Sequence, residues 1–213
     1  MIKIVCISDT HRQHRAMTTD ITSGDIFIFA GDAEIDTFRA LKDFNGWLGE
    51  LNFKFKIFVA GNHDDYLQKL STEEKQLFFS NAIYLENSSC KVMGINFWGS
   101  PYSPIFNDWA FMLNGKMLKK TWDLIPKKTD IVITHCPPFG ILDSTPFSKW
   151  PCGCEHLLNR LAIVKPKFHV FGHIHNDAGT FQFEDNTTTF LNCSMLDDHY
   201  NYVNEPRIIY YEK

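Results

Sequence analysis

Residues that can bind metal ions cluster at five places along this chain, each at the end of a short apolar run. The clusters are Asp9-Thr10-His11, Gly31-Asp32, Gly61-Asn62-His63-Asp64, Thr134-His135 and Gly172-His173-Ile174-His175. Together they supply three carboxylates, one amide and five imidazoles. A single cluster would be an ordinary turn, because Asp and Asn are common turn residues. Five clusters hold enough oxygen and nitrogen ligands for two metal ions, with one histidine left for proton transfer.

This set of ligands suits the hydrolysis of a phosphate ester. Two divalent ions roughly 3.5–4 Å apart neutralise the phosphoryl charge, generate a nucleophile near neutral pH and stabilise the leaving oxygen. Asp32 is the natural candidate for a bridging carboxylate, and neutral Asn62 can ligate through its amide oxygen without adding charge. In Asp9-x-His11 and His173-x-His175, the alternate spacing predicts an extended segment that projects both side chains to one side.

The apolar runs must bring the five clusters together. These runs are Ile2–Ile7, Ile26–Ala30, Phe55–Ala60, Ile131–Ile133 and Phe168–Phe171. They are rich in Ile, Val and Phe and barely alternate, which is typical of strands covered on both faces in a largely parallel sheet. We therefore expect the polar clusters on loops at one edge of a sheet, where layered α/β folds place their sites.

Helical spacing predicts amphipathic helices over Thr37–Leu51 and Cys154–Val164. A capping box that begins at Ser71 predicts a helix that continues to Phe79. A short helix is expected over Asp64–Leu70, and the favoured role of Asp64 is the N-cap of that helix.

The rest of the chain is predicted to be strands and two long loops. The strands are Ala82–Leu85, Cys90–Met93, Ile95–Gly99, Thr180–Phe183, Thr187–Cys193 and Pro206–Tyr211. Glu184-Asp185-Asn186 predicts a hairpin turn between two of them. The loops Ser100–Asn114 and Pro137–Gly153 are rich in proline and aromatic residues, and long loops in compact domains are often functional.

Length and composition predict one soluble domain over residues 1–213. The net charge of −4 gives no general attraction to polymeric nucleic acid or to an anionic membrane. No apolar run approaches the roughly 20 residues that a membrane helix needs. Because the first strand begins at Ile2, there is no room ahead of it for a signal peptide, and a cytoplasmic location is expected. The six cysteines are expected to be reduced thiols.

The five clusters resemble, in order and spacing, the signature of the calcineurin-like metallophosphoesterases. Four further stretches resemble the metallophosphoesterase domain-containing (MPPED) group: Gly99–Trp109, Thr134–Pro138, Gly153–Leu158 and Val170–His175. The resemblance implies an α/β fold, a four-layer α-β-β-α sandwich of two mixed sheets flanked by helices. It also implies a dinuclear metal site at the strand ends.

The resemblance assigns a role to each matching residue. The first metal would be held by Asp9, His11, Asp32 and His175. The second would be held by Asp32, Asn62, His135 and His173. His63 would not ligate; it would face the leaving group as an acid or hydrogen-bond donor.

One departure from the superfamily concerns the partner of His63. The protein serine/threonine phosphatases have an Asp three positions after the bridging Asp, followed by an Arg. This chain has Ile35 at that position, and Asp36-Thr37 after it offers no Arg. Glu34 and Asp64 are two candidates for orienting His63, and a phosphoprotein phosphatase of that type is disfavoured.

We therefore predict a metal-dependent phosphoesterase that hydrolyses a small phosphodiester by attack of metal-bound hydroxide, with a cyclic nucleotide as one candidate. Mn²⁺ is the favoured cation, and Fe or Zn²⁺ also suit nitrogen and oxygen ligands. The alternatives are a phosphomonoesterase, a nuclease that uses the same site, or a non-catalytic binding scaffold. The candidates for stacking on a nucleobase are Tyr102, Phe106, Trp109, Phe139, Phe147 and Trp150.

Overall fold

The computed structural model describes residues 1–21, 23–146, 148–184 and 187–212. Two stacked sheets form its centre. The first sheet contains β1 (Ile2–Ile7), β2 (Gly24–Ala30), β3 (Phe53–Val59), β4 (Ile83–Tyr84) and β13 (Arg207–Tyr211). The second contains β5 (Ser88–Val92), β6 (Ile95–Ser100), β9 (Ile131–Thr134), β10 (Phe168–Phe171), β11 (Gly179–Gln182) and β12 (Thr189–Asn192). A separate short pair joins β7 (Ser103–Pro104) to β8 (Met112–Leu113).

Both sheets are mixed, as expected. The first has the strand order β13-β1-β2-β3-β4, and β13 is its antiparallel edge strand. The second has the order β11-β12-β10-β9-β6-β5, with antiparallel strands at both edges and parallel pairing between them. Because the central strands within each sheet are parallel, the loops after them emerge at a common edge.

Helices cover the outer face of each sheet. They are α1 (Phe38–Glu50), α2 (Asp65–Gln68), α3 (Thr72–Phe78), α4 (Gly115–Asp123) and α5 (Glu155–Val164). A 3₁₀ turn follows β10 over His175–Asp177. The predicted capping box is confirmed: Ser71 accepts the amide N–H of Glu74, whose side chain in turn accepts the amide N–H of Ser71. Helix α4 was not predicted, because its buried apolar residues are few and lie among lysines.

The alternation of side chains along the strands produces three apolar layers. In β1, Val5 and Ile7 pack with the helices outside the first sheet, while Ile4 and Cys6 pack between the two sheets. Val132 of β9 faces the other way, into a layer with Trp122 of α4 and residues of α5. The four-layer α-β-β-α prediction is therefore confirmed.

The predicted hairpin and long loops are found with some differences. β11 and β12 pair antiparallel, and the predicted turn residues Asp185 and Asn186 lie outside the described residues. The loop predicted over Ser100–Asn114 contains β7 and β8. All six cysteines are free thiols. Among the described residues, none of the helices combines the length and apolar content needed to cross a bilayer.

The two sheets are joined directly at the edge where the parallel strands end. The amide N–H of Ser8, after β1, donates to the carbonyl of Cys193 at 2.9 Å. The carbonyl of Ser8 accepts from the amide of Met195, after β12, at 3.1 Å. Loops from both sheets therefore meet at one place, and the predicted ligands lie on these loops.

Candidate metal centre

Two groups of potential ligand atoms lie side by side at this edge. The first consists of Asp9, His11 and His175, and the second consists of Asp32, His135 and His173. Within each group the ligand atoms are within 4.8 Å of one another. Asn62 joins the second group, since its Oδ1 is 2.8 Å from Nε2 of His135. The structure thus brings together all seven side chains that the sequence predicted as ligands.

Asp32 lies between the two groups. Its Oδ2 is 3.3 Å from Nε2 of His135 in the second group and 3.9 Å from Nε2 of His11 in the first. Its other oxygen, Oδ1, accepts the amide N–H of His63 at 2.8 Å. One carboxylate oxygen therefore faces both groups, which is the position that a bridging ligand needs.

The backbone turns sharply at four of these residues. Asp9, His11, Asp32 and His173 have φ angles of 52°, 40°, 57° and 72°. The prediction of extended segments at Asp9-x-His11 and His173-x-His175 is therefore wrong. The left-handed conformation costs about 1–2 kcal/mol for a residue with a side chain, so the surrounding structure must hold it. As a result His173 and His175 serve different groups.

Two glycines are required because the backbone approaches the carboxylates closely. A Cβ on Gly172 would lie 2.1 Å from Oδ2 of Asp9, and a Cβ on Gly61 would lie 2.2 Å from Oδ1 of Asp32. Both distances are far below van der Waals contact. The Gly that precedes Asn62 and the Gly that precedes His173 thus create the space that the two carboxylates occupy.

Backbone carbonyls set the orientation of two histidine rings. Nδ1 of His135 is 3.0 Å from the carbonyl of Ala30, and Nδ1 of His175 is 3.0 Å from the carbonyl of Asp197. Each Nδ1–H donates to its carbonyl, so in the neutral ring Nε2 presents a lone pair. Such a second contact is the usual way in which proteins orient a metal-binding histidine.

Lone pairs from three residues meet at the second group. Nε2 of His135 faces Oδ1 of Asn62 and Oδ2 of Asp32, and none of these atoms carries a hydrogen when the ring is neutral. Nε2 of His11 is buried and has no hydrogen-bond partner among the described residues. A cation satisfies all of these atoms, so the donor set fits divalent metals with nitrogen and oxygen ligands.

The negative charge of the Asp32 carboxylate attracts positive charge, either a metal cation or a proton, to the second group. Burial opposes the charged form of His135, but the Asp32 carboxylate outweighs it and raises the pKa of His135 to about 9. Burial likewise opposes ionisation of Asp32, yet His135 holds the pKa of this carboxyl well below its usual range. Burial lowers the pKa of His173 to about 4, so its ring is neutral at pH 7 and free to ligate.

Several residues of the site were missed by the sequence analysis. The hydroxyls of Ser8 and Ser194 donate to Oδ2 of Asp9 at 2.5 and 2.7 Å, and the amide of His173 donates to both oxygens. The Tyr200 ring lies edge-on to His11, with centroids 4.7 Å apart, and has a φ of 61°. The two serines and Tyr200 are not typical ligands, and Ser194 and Tyr200 follow the last motif. The sequence therefore held no signal for them.

Asp64 corrects one prediction. It occupies the N-cap position of α2, but its side chain makes no capping hydrogen bond. Its carboxylate instead accepts the amides of Gly61, Ile35 and Asp32 at 2.7, 2.9 and 3.1 Å. Burial and the charge of Asp32 raise the pKa of Asp64 to about 7, while the amides of Ile35 and Gly61 act in the opposite direction.

His63 lies beside the two groups without belonging to either. Its ring centroid is 5.0 Å from that of His11 and 4.7 Å from that of Trp109. Neither predicted carboxylate orients the ring: Asp64 faces backbone amides, and Oε2 of Glu34 lies 3.7 Å from Nδ1 of His11. No group among the described residues hydrogen-bonds the His63 ring nitrogens.

The predicted stacking aromatics divide into separate environments. Trp109 adjoins His63, and Phe106 packs edge-on against Trp109 with centroids 5.8 Å apart. Tyr102 is half-buried against Phe111 and belongs to the core packing. Phe147 lies outside the described residues.

A sandwich of this kind, with two adjacent groups of nitrogen and oxygen ligands at its strand ends, defines a metallophosphoesterase fold and site. The family model described as calcineurin-like phosphoesterase matches residues 2–177. The chain is also 38% identical to human metallophosphoesterase domain-containing protein 1, over 97% of this chain and 70% of that protein. The chain belongs to the calcineurin-like phosphoesterase family.

Solved structures agree in fold. Phosphopantetheinyl hydrolase (PptH) from Mycobacterium tuberculosis superposes with a TM-score of 0.62, at 13% identity over 93% of this chain and 90% of that chain. The protein TT1561 of Thermus thermophilus superposes with a TM-score of 0.63, at 14% identity over 90% of this chain and 88% of that chain.

Proposed function

We propose that this chain hydrolyses a small phosphodiester with two divalent cations, Mn²⁺ being favoured. The observation that carries the proposal is the position of Asp32 Oδ2, which faces both groups of ligand atoms. Bound there, two cations supply charge neutralisation for the phosphoryl group and acidify a water molecule. The first would be held by Asp9, His11, Asp32 and His175, and the second by Asp32, Asn62, His135 and His173.

His63 is proposed to donate a hydrogen bond or proton to the leaving oxygen. Its backbone amide is tied to Asp32 at 2.8 Å, which fixes its distance from the ligands. Its half-buried ring lies against His11, and its nitrogens are not engaged by the described residues. A ring that is held in position, and whose nitrogens have no hydrogen-bond partner among the described residues, is suited to donate to a substrate atom.

Charges around the site favour a diester over a monoester. The guanidinium of Arg12, which follows His11 in the sequence, is already paired with Asp36 and Glu34. A monoester dianion would gain little from an arginine that is neutralised in this way. A diester carries one negative charge at neutral pH, which the proposed cations can balance without further help.

The first experiment tests the metals. The protein is stripped with a chelator, reloaded with Mn²⁺ and examined by elemental analysis together with hydrolysis of bis(p-nitrophenyl) phosphate. We expect two ions per chain and recovery of activity. Asp32→Asn should lose most of both, whereas Asp43→Asn, at an exposed carboxylate paired with Arg15, should lose neither. Full activity in folded Asp32→Asn would contradict the proposal.

The second experiment separates substrate classes. Turnover by the Mn²⁺-loaded protein is compared for a cyclic mononucleotide, a nucleoside monophosphate and a single-stranded oligonucleotide. A net charge of −4 gives no general attraction to a negatively charged oligonucleotide. We therefore expect the cyclic mononucleotide to be turned over fastest. Preference for the oligonucleotide would favour a nuclease, and preference for the monophosphate would favour a phosphomonoesterase. Two bound metals with no turnover of any ester would favour a binding scaffold.

A further inference from the structure

Exposed apolar side chains lie directly beside His63. Trp109 contacts the His63 ring at 4.7 Å with an interplanar angle of 45°, yet 38% of its surface is exposed. Phe106 packs on Trp109 and is 73% exposed, and neighbouring Ile105 is 64% exposed. Contiguous exposed apolar groups commonly mark a surface that a ligand or partner covers.

The loop that carries these residues is anchored to the site. The amide of Ala110 donates to the carbonyl of Asn62 at 3.2 Å, and the amide of Phe111 donates to Oε1 of Gln68 at 2.7 Å. The Phe111 side chain is buried. Trp109 therefore directly precedes two fixed residues, one of them bonded to a proposed ligand, and its ring is held in place before any substrate arrives.

The aromatic patch adjoins the proposed leaving-group donor. Ring contacts run in series from Trp109 to His63 and from His63 to His11. A phosphoryl group bound among the ligands with its leaving oxygen at His63 would therefore direct the departing alcohol toward Trp109. Asp108, between the two aromatic residues in sequence, gives this region a negative charge.

We propose that Trp109, supported by Phe106, is the wall that receives the alcohol half of the substrate, and that this alcohol carries a flat, uncharged aromatic ring. This rests on the proposed function, because it takes the role of His63 from there. An aromatic face of this kind stacks on a planar ring, which typically changes binding by about tenfold or more. The adjacent Asp108 disfavours alcohols that carry further phosphate groups.

Hydrolysis of two matched diesters tests the proposal. Methyl phenyl phosphate releases an aromatic alcohol, and methyl hexafluoroisopropyl phosphate releases an aliphatic alcohol of similar acidity. With Mn²⁺-loaded protein, we expect Trp109→Leu to lower kcat/KM about tenfold on the phenyl ester and less than threefold on the aliphatic ester. Phe181→Leu, which alters an equally exposed aromatic on β11, should change neither. Equal losses on both esters would show that Trp109 only supports His63 and would overturn the proposal.

Binding of a non-hydrolysable analogue gives a second readout. In the monomethyl ester of benzylphosphonic acid, a methylene group replaces the leaving oxygen. By calorimetry we expect Trp109→Leu to weaken its Kd about tenfold and Phe181→Leu to leave the Kd unchanged. An unchanged Kd in Trp109→Leu, or no binding by the wild type, would overturn the inference. If binding depends on Trp109 but no diester is hydrolysed, Trp109 still stacks on the aromatic ring, but the proposed function fails and with it the assignment of that ring to a leaving alcohol.

Discussion

The amide N–H of Asp32 donates a hydrogen bond to the buried carboxylate of Asp64 at 3.1 Å. The same carboxylate accepts the amides of Gly61 and Ile35. Asp64 therefore ties the loop after β2 to the loop after β3 and fixes the backbone on both sides of Asp32. A residue with the sequence position of a helix cap thus holds the turn that presents the proposed bridging ligand.

Replacing Asp64 should lower the stability of the folded chain. Both oxygens of Asp64 accept backbone amides, but asparagine has only one side-chain oxygen. In Asp64→Asn, the side-chain NH₂ would therefore face at least one buried backbone N–H, which would lose its acceptor. We expect a loss of about 2 kcal/mol in the free energy of unfolding, measured in urea. Asp65→Asn is the matched control, because Lys69 is the only side-chain partner of Asp65 among the described residues, in an exposed pair worth about 0.5 kcal/mol or less. Equal effects of the two variants would count against this role.

Replacing His63 tests the proposed donor. His63→Asn should keep both metals and lose on the order of 10²–10⁴ in rate on a nucleotide diester, whose alkoxide leaving group needs a proton. The loss should be clearly smaller on a p-nitrophenyl ester, because p-nitrophenolate is already stable as an anion. Rates on both esters and the metal content of the variant are measured together. Equal losses, or loss of one metal, would instead place His63 among the ligands or positioning groups.

The hydroxyl of Ser194 should raise metal affinity through Asp9. It donates to Oδ2 of Asp9 at 2.7 Å and so orients the carboxylate. Removing such a contact typically weakens metal binding 10- to 100-fold, and because Ser8 remains we expect about tenfold for Ser194→Ala. The Kd for Mn²⁺ is measured by competition with a chromophoric chelator. Ser80→Ala, at an exposed serine, is the control, and an equal Kd in both variants would refute the prediction.

His169 should make stability depend on pH. Its Nε2 lies 2.8 Å from the Thr134 hydroxyl, which donates to the carbonyl of Cys136, and its Nδ1 has no described partner. Burial lowers the pKa of His169 to about 3. As pH falls below about 6.5, the unfolded chain binds this proton before the folded chain does, so folding stability declines.

The magnitude follows from the same pKa difference. Between pH 7.5 and pH 5, His169 should account for about 2 kcal/mol of lost unfolding free energy. Unfolding in urea is measured for wild type and His169→Gln at both pH values, with chelator present. The difference isolates the contribution of His169, because the two proteins have all other histidines in common. Parallel pH dependence in the two proteins would show that His169 is not responsible.

The sequence predicted where the ligands lie because the apolar runs have strand length and strand composition. Runs such as Phe168–Phe171 end one residue before a motif, and the structure ends β10 at the same residue. The layer order also followed, once the motifs indicated the family. These features depend on patterns that are local in sequence, so they can be recognised without knowing which distant segments meet.

The sequence could not predict features that arise only when distant segments meet. Ser194 and Asp9 are 185 residues apart, and their contact exists because the two sheets join at Ser8. The left-handed turn at His11 is held by a hydrogen bond from its amide to the carbonyl of Asp32. Asp64 was predicted as a helix cap from a local rule. Its side chain instead accepts three amides from the surrounding loops, which the local rule does not take into account.

Each group of proposed ligands draws on both sheets, since Asp9 follows β1 of the first sheet and His175 follows β10 of the second. A bound cation would therefore act as a reversible cross-link between the two halves of the sandwich. A cation that binds only the folded chain stabilises it by about 1.4 kcal/mol for each tenfold rise in concentration above its Kd. The amount of folded protein, and not only its catalytic rate, would then follow the supply of metal around it.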